Sequence, residues 1–185
     1  MIISISGAPG AGKSTIAKKL AQELQWPRYY IGGLRREKAK EKGMTIAEYN
    51  KLGELDPDTD LEVDRYQEEL GKKEDNFIIE GRTSWYFIPH SLKFYFDVDE
   101  KEGAKRIFEE LQKDNTRNEG EKPKNLEEVI GGIRERISSD KKRYQKYFGI
   151  DAYNKNNYDH VIDTTDLGPE EVFKKVYRII KKNLG

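Results

Sequence analysis

The chain has 185 residues, and its 34 Lys+Arg are matched by 34 Asp+Glu, so no net charge draws it toward nucleic acid or an anionic membrane. It has no cysteine and two histidines, His90 and His160, which rules out disulfides and thiolate metal sites and argues against structural zinc. The length suits one domain, the opening apolar run is too short for a signal peptide, and nothing resembles a membrane span, so a cytoplasmic setting is expected.

Met1-Ile2-Ile3-Ser4-Ile5 is a β-branched apolar run that suits a buried strand. Gly7-Ala8-Pro9-Gly10-Ala11-Gly12-Lys13-Ser14 follows and fits G-x-x-x-x-G-K-[ST] at every fixed position. Ile16, Ala17, Leu20, Ala21 and Leu24 then recur at helical spacing. Trp26 to Ile31 reads as a second, weaker strand, which Gly32-Gly33 turns into a charged helix from about Leu34 to Lys42. Thr45-Ile46-Ala47-Glu48 is a capping-box pattern, and Thr59-Asp60-Leu61-Glu62 repeats it after the turn Asp56-Pro57-Asp58. Leu61, Tyr66 and Leu70 supply the apolar positions of that next helix.

Asn76 to Glu80 holds the buried-strand run Phe77-Ile78-Ile79 and ends in Glu80-Gly81-Arg82. A further strand, Leu92 to Val98, leads through Asp99 into a helix to about Leu111. Asp114 to Lys124 is polar and lacks apolar periodicity. Asn125 with Glu128 caps a long helix that Gly149 ends after Phe148, with Gly131-Gly132 as a weak point inside it. His160-Val161-Ile162-Asp163 is the last strand, and Pro169 sits where a final helix starts. Strands alternating with helices predict an α/β fold: a five-stranded parallel sheet covered on both faces, three layers deep.

The glycine-rich stretch sits between a strand and a helix, the context in which the P-loop pattern carries chemistry. Its glycines let backbone N–H groups close around phosphate oxygens, and the helix N-terminus adds partial positive charge beneath them. Lys13 can reach the terminal phosphates, and the Ser14 hydroxyl can ligate Mg²⁺. The chain therefore reads as a binder of a nucleoside triphosphate. In an open parallel sheet the ligand lies at the carboxyl ends of the strands, where Gly32-Gly33, Glu80-Gly81-Arg82 and Thr164-Thr165 also fall. A GTPase-type switch needs Asn-Lys-x-Asp, and Asn154-Lys155-Asn156-Asn157 lacks the aspartate. A mechanical ATPase usually ends a buried strand in Asp-Glu; here Glu80 is a single acid that can hold Mg²⁺ through water, and Arg82 can meet a second anion.

The stretch Ile3 to Thr15 resembles the opening of nucleoside monophosphate kinases, cytidylate kinases above all. Gly32 and Arg36-Glu37 lie where that family has its substrate-phosphate element. Asp56-Pro57-Asp58-Thr59-Asp60 and Asp64-Arg65-Tyr66-Gln67 resemble an acidic stretch of its archaeal-type branch. Glu80-Gly81-Arg82 is similar to the end of the family's third strand, and Arg136, Asp140 and Arg143 to the Arg…Asp…Arg spacing that holds cytidine monophosphate. Tyr144 to Asp151 resembles the segment that follows in the archaeal-type branch. Ile31, where the family commonly has Ser or Thr, and Thr83, where bacterial members have Asp, are departures that leave the preferred base and sugar open. So are Ile137 and Ser139 in the long helix.

The resemblance implies transfer of a phosphoryl group from ATP to CMP or dCMP in pyrimidine nucleotide metabolism, with Mg²⁺, in a P-loop kinase domain spanning residues 1–185. Residues 32–73 would form a monophosphate-binding region, and about 113–125 a lid in which Lys113 and Arg117 reach the nucleotide phosphates. Gly7, Ala8, Pro9, Gly10, Ala11, Gly12, Lys13, Ser14 and Thr15 would hold ATP, with Ser14 and, through water, Glu80 on the metal. Gly32, Arg36, Arg82, Arg136, Asp140 and Arg143 would bind the acceptor, with Lys13, Arg82 and Arg136 as the catalytic cations. On the long helix, Arg136, Asp140 and Arg143 share a stripe of roughly 60° beside an apolar face of Leu126, Ile130, Ile133, Ile137, Tyr144 and Phe148, while Lys142 points away. The small-molecule substrates would be its only partners, and a monomer is expected. Another acceptor (UMP, AMP or a metabolite) and a regulatory module without transfer activity remain the alternatives.

Overall fold

The computed structural model describes residues 1–113 and 122–184. Most of the expected lid, including Arg117, lies outside the described residues. Strand β1 (Ile2–Gly7) and helix α1 (Lys13–Leu24) flank the glycine-rich loop; β2 (Arg28–Tyr30), α2 (Ile31–Glu41), α3 (Ile46–Gly53) and α4 (Asp58–Lys73) follow. Next come β3 (Phe77–Glu80), α5 (Ser84–Phe87), β4 (Leu92–Asp97) and α6 (Glu100–Gln112). The chain closes with α7 (Leu126–Phe148), a 3-10 turn (Lys155–Asn157), β5 (His160–Asp163) and α8 (Pro169–Leu184).

The five strands form one parallel sheet in the order β2-β3-β1-β4-β5. Successive strand side chains point to opposite faces, and the apolar runs divide accordingly. Ile3, Ile5, Ile78, Phe94 and Phe96 pack with Ile16, Leu20, Val172, Val176 and Ile180 of α1 and α8. Ile2, Phe77 and Ile79 join Val63 and Leu70 of α4, with Ile31 and Ile88, in a second cluster. Each fully buried side chain of this size contributes roughly 1.5–3 kcal/mol, and runs apolar on both faces make these central strands. A third cluster pairs α6 with α7 through Ala104, Ile107, Leu111, Val129 and Ile133. No described helix is long and apolar enough to cross a membrane.

Most boundaries follow the local signals. Thr45 and Glu48 complete a reciprocal capping box, Asn125 accepts from the Glu128 amide at 2.9 Å, and Gly149 ends α7 in the left-handed region. Two expectations fail. Gly32-Gly33 is not a turn: α2 begins at Ile31 and takes both glycines into its first turn. The reason is a neighbour, because a Cβ at Gly33 would lie 2.6 Å from the Tyr30 ring, which crosses the helix start. The second capping box also does not form. Helix α4 starts two residues earlier, at Asp58, and Thr59 Oγ1 donates instead to the Asp56 carbonyl at 2.9 Å. The short α5, after Arg82, had no sequence signal.

Gly7 ends β1 at φ 141°, where an added Cβ would sit 2.0 Å from the Phe96 carbonyl oxygen. Gly131 and Gly132 have only open space around them, and α7 runs unbroken through both. Gly7→Ala is therefore expected to destabilise the protein by at least about 1–3 kcal/mol from backbone strain alone. Gly131→Ala should stabilise it by about 0.5–1 kcal/mol through lower unfolded-chain entropy. Chemical denaturation of the two variants beside the parent checks both signs.

Candidate active site

The loop between β1 and α1 is shaped for an anion. Gly12 is the N-cap of α1 in the left-handed region, and no side chain caps the helix. The first amides of a helix have no intrahelical partner, so their dipole end is available to phosphate oxygens. Lys13 folds back across the loop, donating to the carbonyls of Gly7 at 3.0 Å and Ala8 at 2.6 Å. These bonds hold its ammonium beside the cradle.

Glu80 closes the floor. It is the last residue of β3, 3% exposed, and pairs in register with Tyr30 of β2. Ser14 Oγ donates to its Oε1 at 2.5 Å, while Arg28 donates from Nε and Nη2 to its Oε2 at 3.1 and 2.9 Å. A hydroxyl and a carboxylate make an all-oxygen set suited to Mg²⁺, which characteristically takes few protein ligands and completes its shell with phosphates and waters. Among the described residues no cluster of three or more His, Cys, Asp or Glu could hold a metal without such help. Arg28 had no motif to mark it; its link to Glu80 depends on β2 lying beside β3.

The loop opens into a cleft of about 1080 Å³, lined by Pro9 to Thr15 at one end and by Gly32, Arg36, Glu80, Arg82 and Arg136 farther along. Gly7 and Ala8, also predicted for the donor, are not among the residues that line it. Arg36, 7% exposed, is steadied by bonds from Nη1 to the Tyr30 hydroxyl at 2.9 Å and the Gly32 carbonyl at 3.1 Å. Arg106 of α6 lines the same cleft and grips the carbonyls of Thr164 and Thr165, each at 2.9 Å. Thr164 in turn donates to the Ala11 carbonyl at 3.3 Å, tying the loop after β5 to the anion cradle.

Asp140 and Arg143 are not in the cleft lining. Arg143 is fully buried: Nη1 meets both Asp60 oxygens at 2.7 and 2.6 Å, and Nη2 meets Asp140 Oδ1 at 2.5 Å. Asp60 also takes a close bond from Arg35, and Asp140 Oδ2 lies 2.7 Å from Arg82 Nε and 2.8 Å from the Tyr153 hydroxyl. The result is an alternating chain, Arg35–Asp60–Arg143–Asp140–Arg82, that runs through α2, α4, α7 and the end of β3. Burial opposes the charge of Asp140, but Arg82, Arg143 and Arg136 together hold its pKa below the usual carboxylate value. Burial likewise opposes the charge of Arg82, and Asp140 overcomes it, leaving the pKa raised. Asp140 and Arg143 of the charged stripe are therefore buried with Ile133 and Tyr144, whereas Arg136, Ile130 and Ile137 are only partly so, which differs from the face expected from spacing. Counter-charges supplied by other elements make this possible. Lys142 does point outward, near Glu54 at 3.6 Å.

Asp64 of α4 is a further acid in the cleft wall. Its Oδ1 accepts from Gln67 Nε2 at 3.1 Å and Thr83 Oγ1 at 3.4 Å. Burial first, then the Asp60 carboxylate, pushes its pKa from 3.8 up to about 7.

The sequence model of the cytidylate kinase-like family matches residues 2–166. A cytidylate kinase of Thermococcus kodakarensis is 37% identical over 174 residues, covering 94% of this chain and 84% of its own. That of Archaeoglobus fulgidus is 32% identical over 182 residues, covering 98% and 95%. Among solved structures, a shikimate kinase from Bacteroides thetaiotaomicron superposes with a TM-score of 0.65 at 14% identity, covering 98% of both chains. An uncharacterized protein from Eubacterium ventriosum does so with a TM-score of 0.70 at 18% identity, covering 98% of both. These two likenesses concern the fold alone.

Replacing Arg143 leaves two buried carboxylates without their shared cation, so Arg143→Ala should cost about 3–5 kcal/mol, read by chemical denaturation. Asp64 has the opposite sign of a paired carboxylate. Its raised folded pKa adds stability that is complete below about pH 4 and is lost as pH rises through about 7. Thermal transitions measured across that range should fall with pH in the parent and less steeply in Asp64→Asn.

Proposed function

This chain belongs to the cytidylate kinase-like family, and we propose that it transfers the γ-phosphoryl group of ATP to CMP or dCMP, giving ADP and CDP or dCDP. The observation that carries the reading is one cleft with an anion cradle at one end and the cations Arg36, Arg82 and Arg136 along the same wall. A donor triphosphate and an acceptor monophosphate need that pairing of sites. The chain is read as one kinase domain, with residues 32–73 receiving the monophosphate and 113–125 closing over it. With both ends of the cleft supplied by one chain, the reading needs only a monomer, and a cytoplasmic setting suits its substrates.

In the transfer, an oxygen of the acceptor phosphate forms a bond to the γ-phosphorus while the bond from that phosphorus to the β–γ bridging oxygen breaks, and ADP leaves with the electron pair. The acceptor oxygen is already anionic near neutral pH, so no general base is required. The protein's task is positioning and charge neutralisation. Amides of residues 8–15 and Lys13 hold the donor phosphates. Ser14, with Glu80 through water, would hold Mg²⁺, which when bound neutralises phosphate charge. Arg36, Arg82 and Arg136 take the acceptor phosphate, since a planar guanidinium matches its oxygens. Asp140 and Arg143 act here as positioning residues: Asp140 fixes Arg82, and Arg143 fixes Asp140. A lid that excludes water would suppress hydrolysis of ATP.

A coupled assay with ATP, Mg²⁺ and a panel of CMP, dCMP, UMP and AMP is expected to rank CMP or dCMP first. Lys13→Ala should lower kcat by about 10²–10³-fold with an unchanged thermal transition. No turnover with any monophosphate would sink the reading in favour of a binding module. Preference for UMP or AMP would move it to another nucleotide kinase.

A further inference from the structure

Among the acids that line the cleft, Asp64 has no task in phosphoryl transfer. Asp64 is 5% exposed, and while its Oδ1 takes two hydrogen bonds, its Oδ2 is buried with no partner among the described residues. Its hydrogen-bonded neighbour Gln67 is already committed elsewhere. The Gln67 side chain, itself fully buried, spends its amide nitrogen on Asp64 Oδ1 and Thr83 and its oxygen on Ser84 Oγ at 2.6 Å. A desolvated carboxylate oxygen left unpaired is costly, and a bound donor would relieve that cost.

The donor's chemistry follows from the charges around it. Arg36, Arg82 and Arg136 line the same cleft and suit phosphate, whereas an acid in the wall repels it. Asp64 therefore marks the end of the acceptor that carries no phosphate. Ile31 and Val63, which pack in one apolar cluster, and Tyr144 line the wall there as well, and such surfaces suit the faces of a planar ring. We propose that Asp64 reads the acceptor's base, its unpaired Oδ2 accepting a hydrogen bond from the exocyclic amino group of cytosine. Uracil presents a carbonyl oxygen at that position and would set acceptor against acceptor. This inference rests on the CMP kinase reading and adds to it the residue that separates CMP from UMP.

The test compares CMP with 2-pyrimidinone riboside 5′-monophosphate, which lacks only the amino group, and with UMP and dCMP, using parent and Asp64→Asn enzymes. In the parent, loss of the amino group should lower kcat/KM by about 10–100-fold, mainly through KM. In Asp64→Asn the same loss should cost no more than about threefold, with ATP affinity retained. Asp64→Ala serves as a second variant, judged by the same ratio. If the parent handles CMP and the pyrimidinone nucleotide equally, the proposal is overturned without recourse to any variant. A folded variant that keeps the full discrimination overturns it too, as does coupling of Asp64 to the ribose hydroxyl instead of the amine. A parent that phosphorylates no monophosphate sinks the function itself. One that turns over CMP but ignores the amino group sinks only the role of Asp64.

Discussion

The acceptor half of this molecule depends on a buried row of alternating charges. Arg35, Asp60, Arg143, Asp140 and Arg82 come from four separate parts of the chain, and each charge inside the row touches two of opposite sign. Removing ions from water is expensive, and packed apolar side chains would often fill such a volume at no loss of stability. What a row of ions provides is direction. Arg143 Nη1 and Nη2 are committed to Asp60 and Asp140, so Asp140 has one defined place, and Arg82 beside it is aimed rather than free to sweep. A cation proposed to meet a phosphate needs that support more than it needs added stability.

The donor half is built differently, almost wholly from local geometry. A buried strand ends in a glycine whose φ no other residue adopts comfortably, and the helix that follows begins without a side-chain cap. Its unmatched amides do the work a side chain would otherwise have to do. Glu80 ties this half to the acceptor side: its Oε1 faces Ser14, its Oε2 faces Arg28, and its strand leads straight to Arg82. The two halves are thus joined at the end of β3, where the transferred group would pass from one to the other.

Polarity also differs along the cleft in a way that orders the acceptor. Cations line the wall toward the cradle, and the only unpaired carboxylate oxygen among the described buried side chains belongs to Asp64. A nucleotide has one anionic end and one end rich in hydrogen-bond groups, so such a wall admits it in one orientation. Burial, with the Asp60 carboxylate beside it, raises the pKa of Asp64 to about 7.

What the sequence by itself determined is what rests on neighbours a few residues apart. Continuous apolar runs located the strands and period-3.6 patterns the long helices, and side-chain capping set the starts at Thr45 and Asn125. The anion loop was legible because its glycines, lysine and serine act on backbone within one turn of themselves. Tertiary structure alone decided the rest, since charge pairs across the fold leave no trace in spacing. Helical periodicity put Arg136, Asp140 and Arg143 on one stripe, but whether that stripe faced water, cleft or core depended on Asp60 lying 83 residues from Arg143. Arg28 gained meaning only when β2 settled against β3, and the Tyr30 ring across the start of α2 leaves no room for a side chain at Gly33. By spacing alone Asp64 is one acid of a charged helix; only the fold removes its water and leaves its Oδ2 without a partner among the described residues.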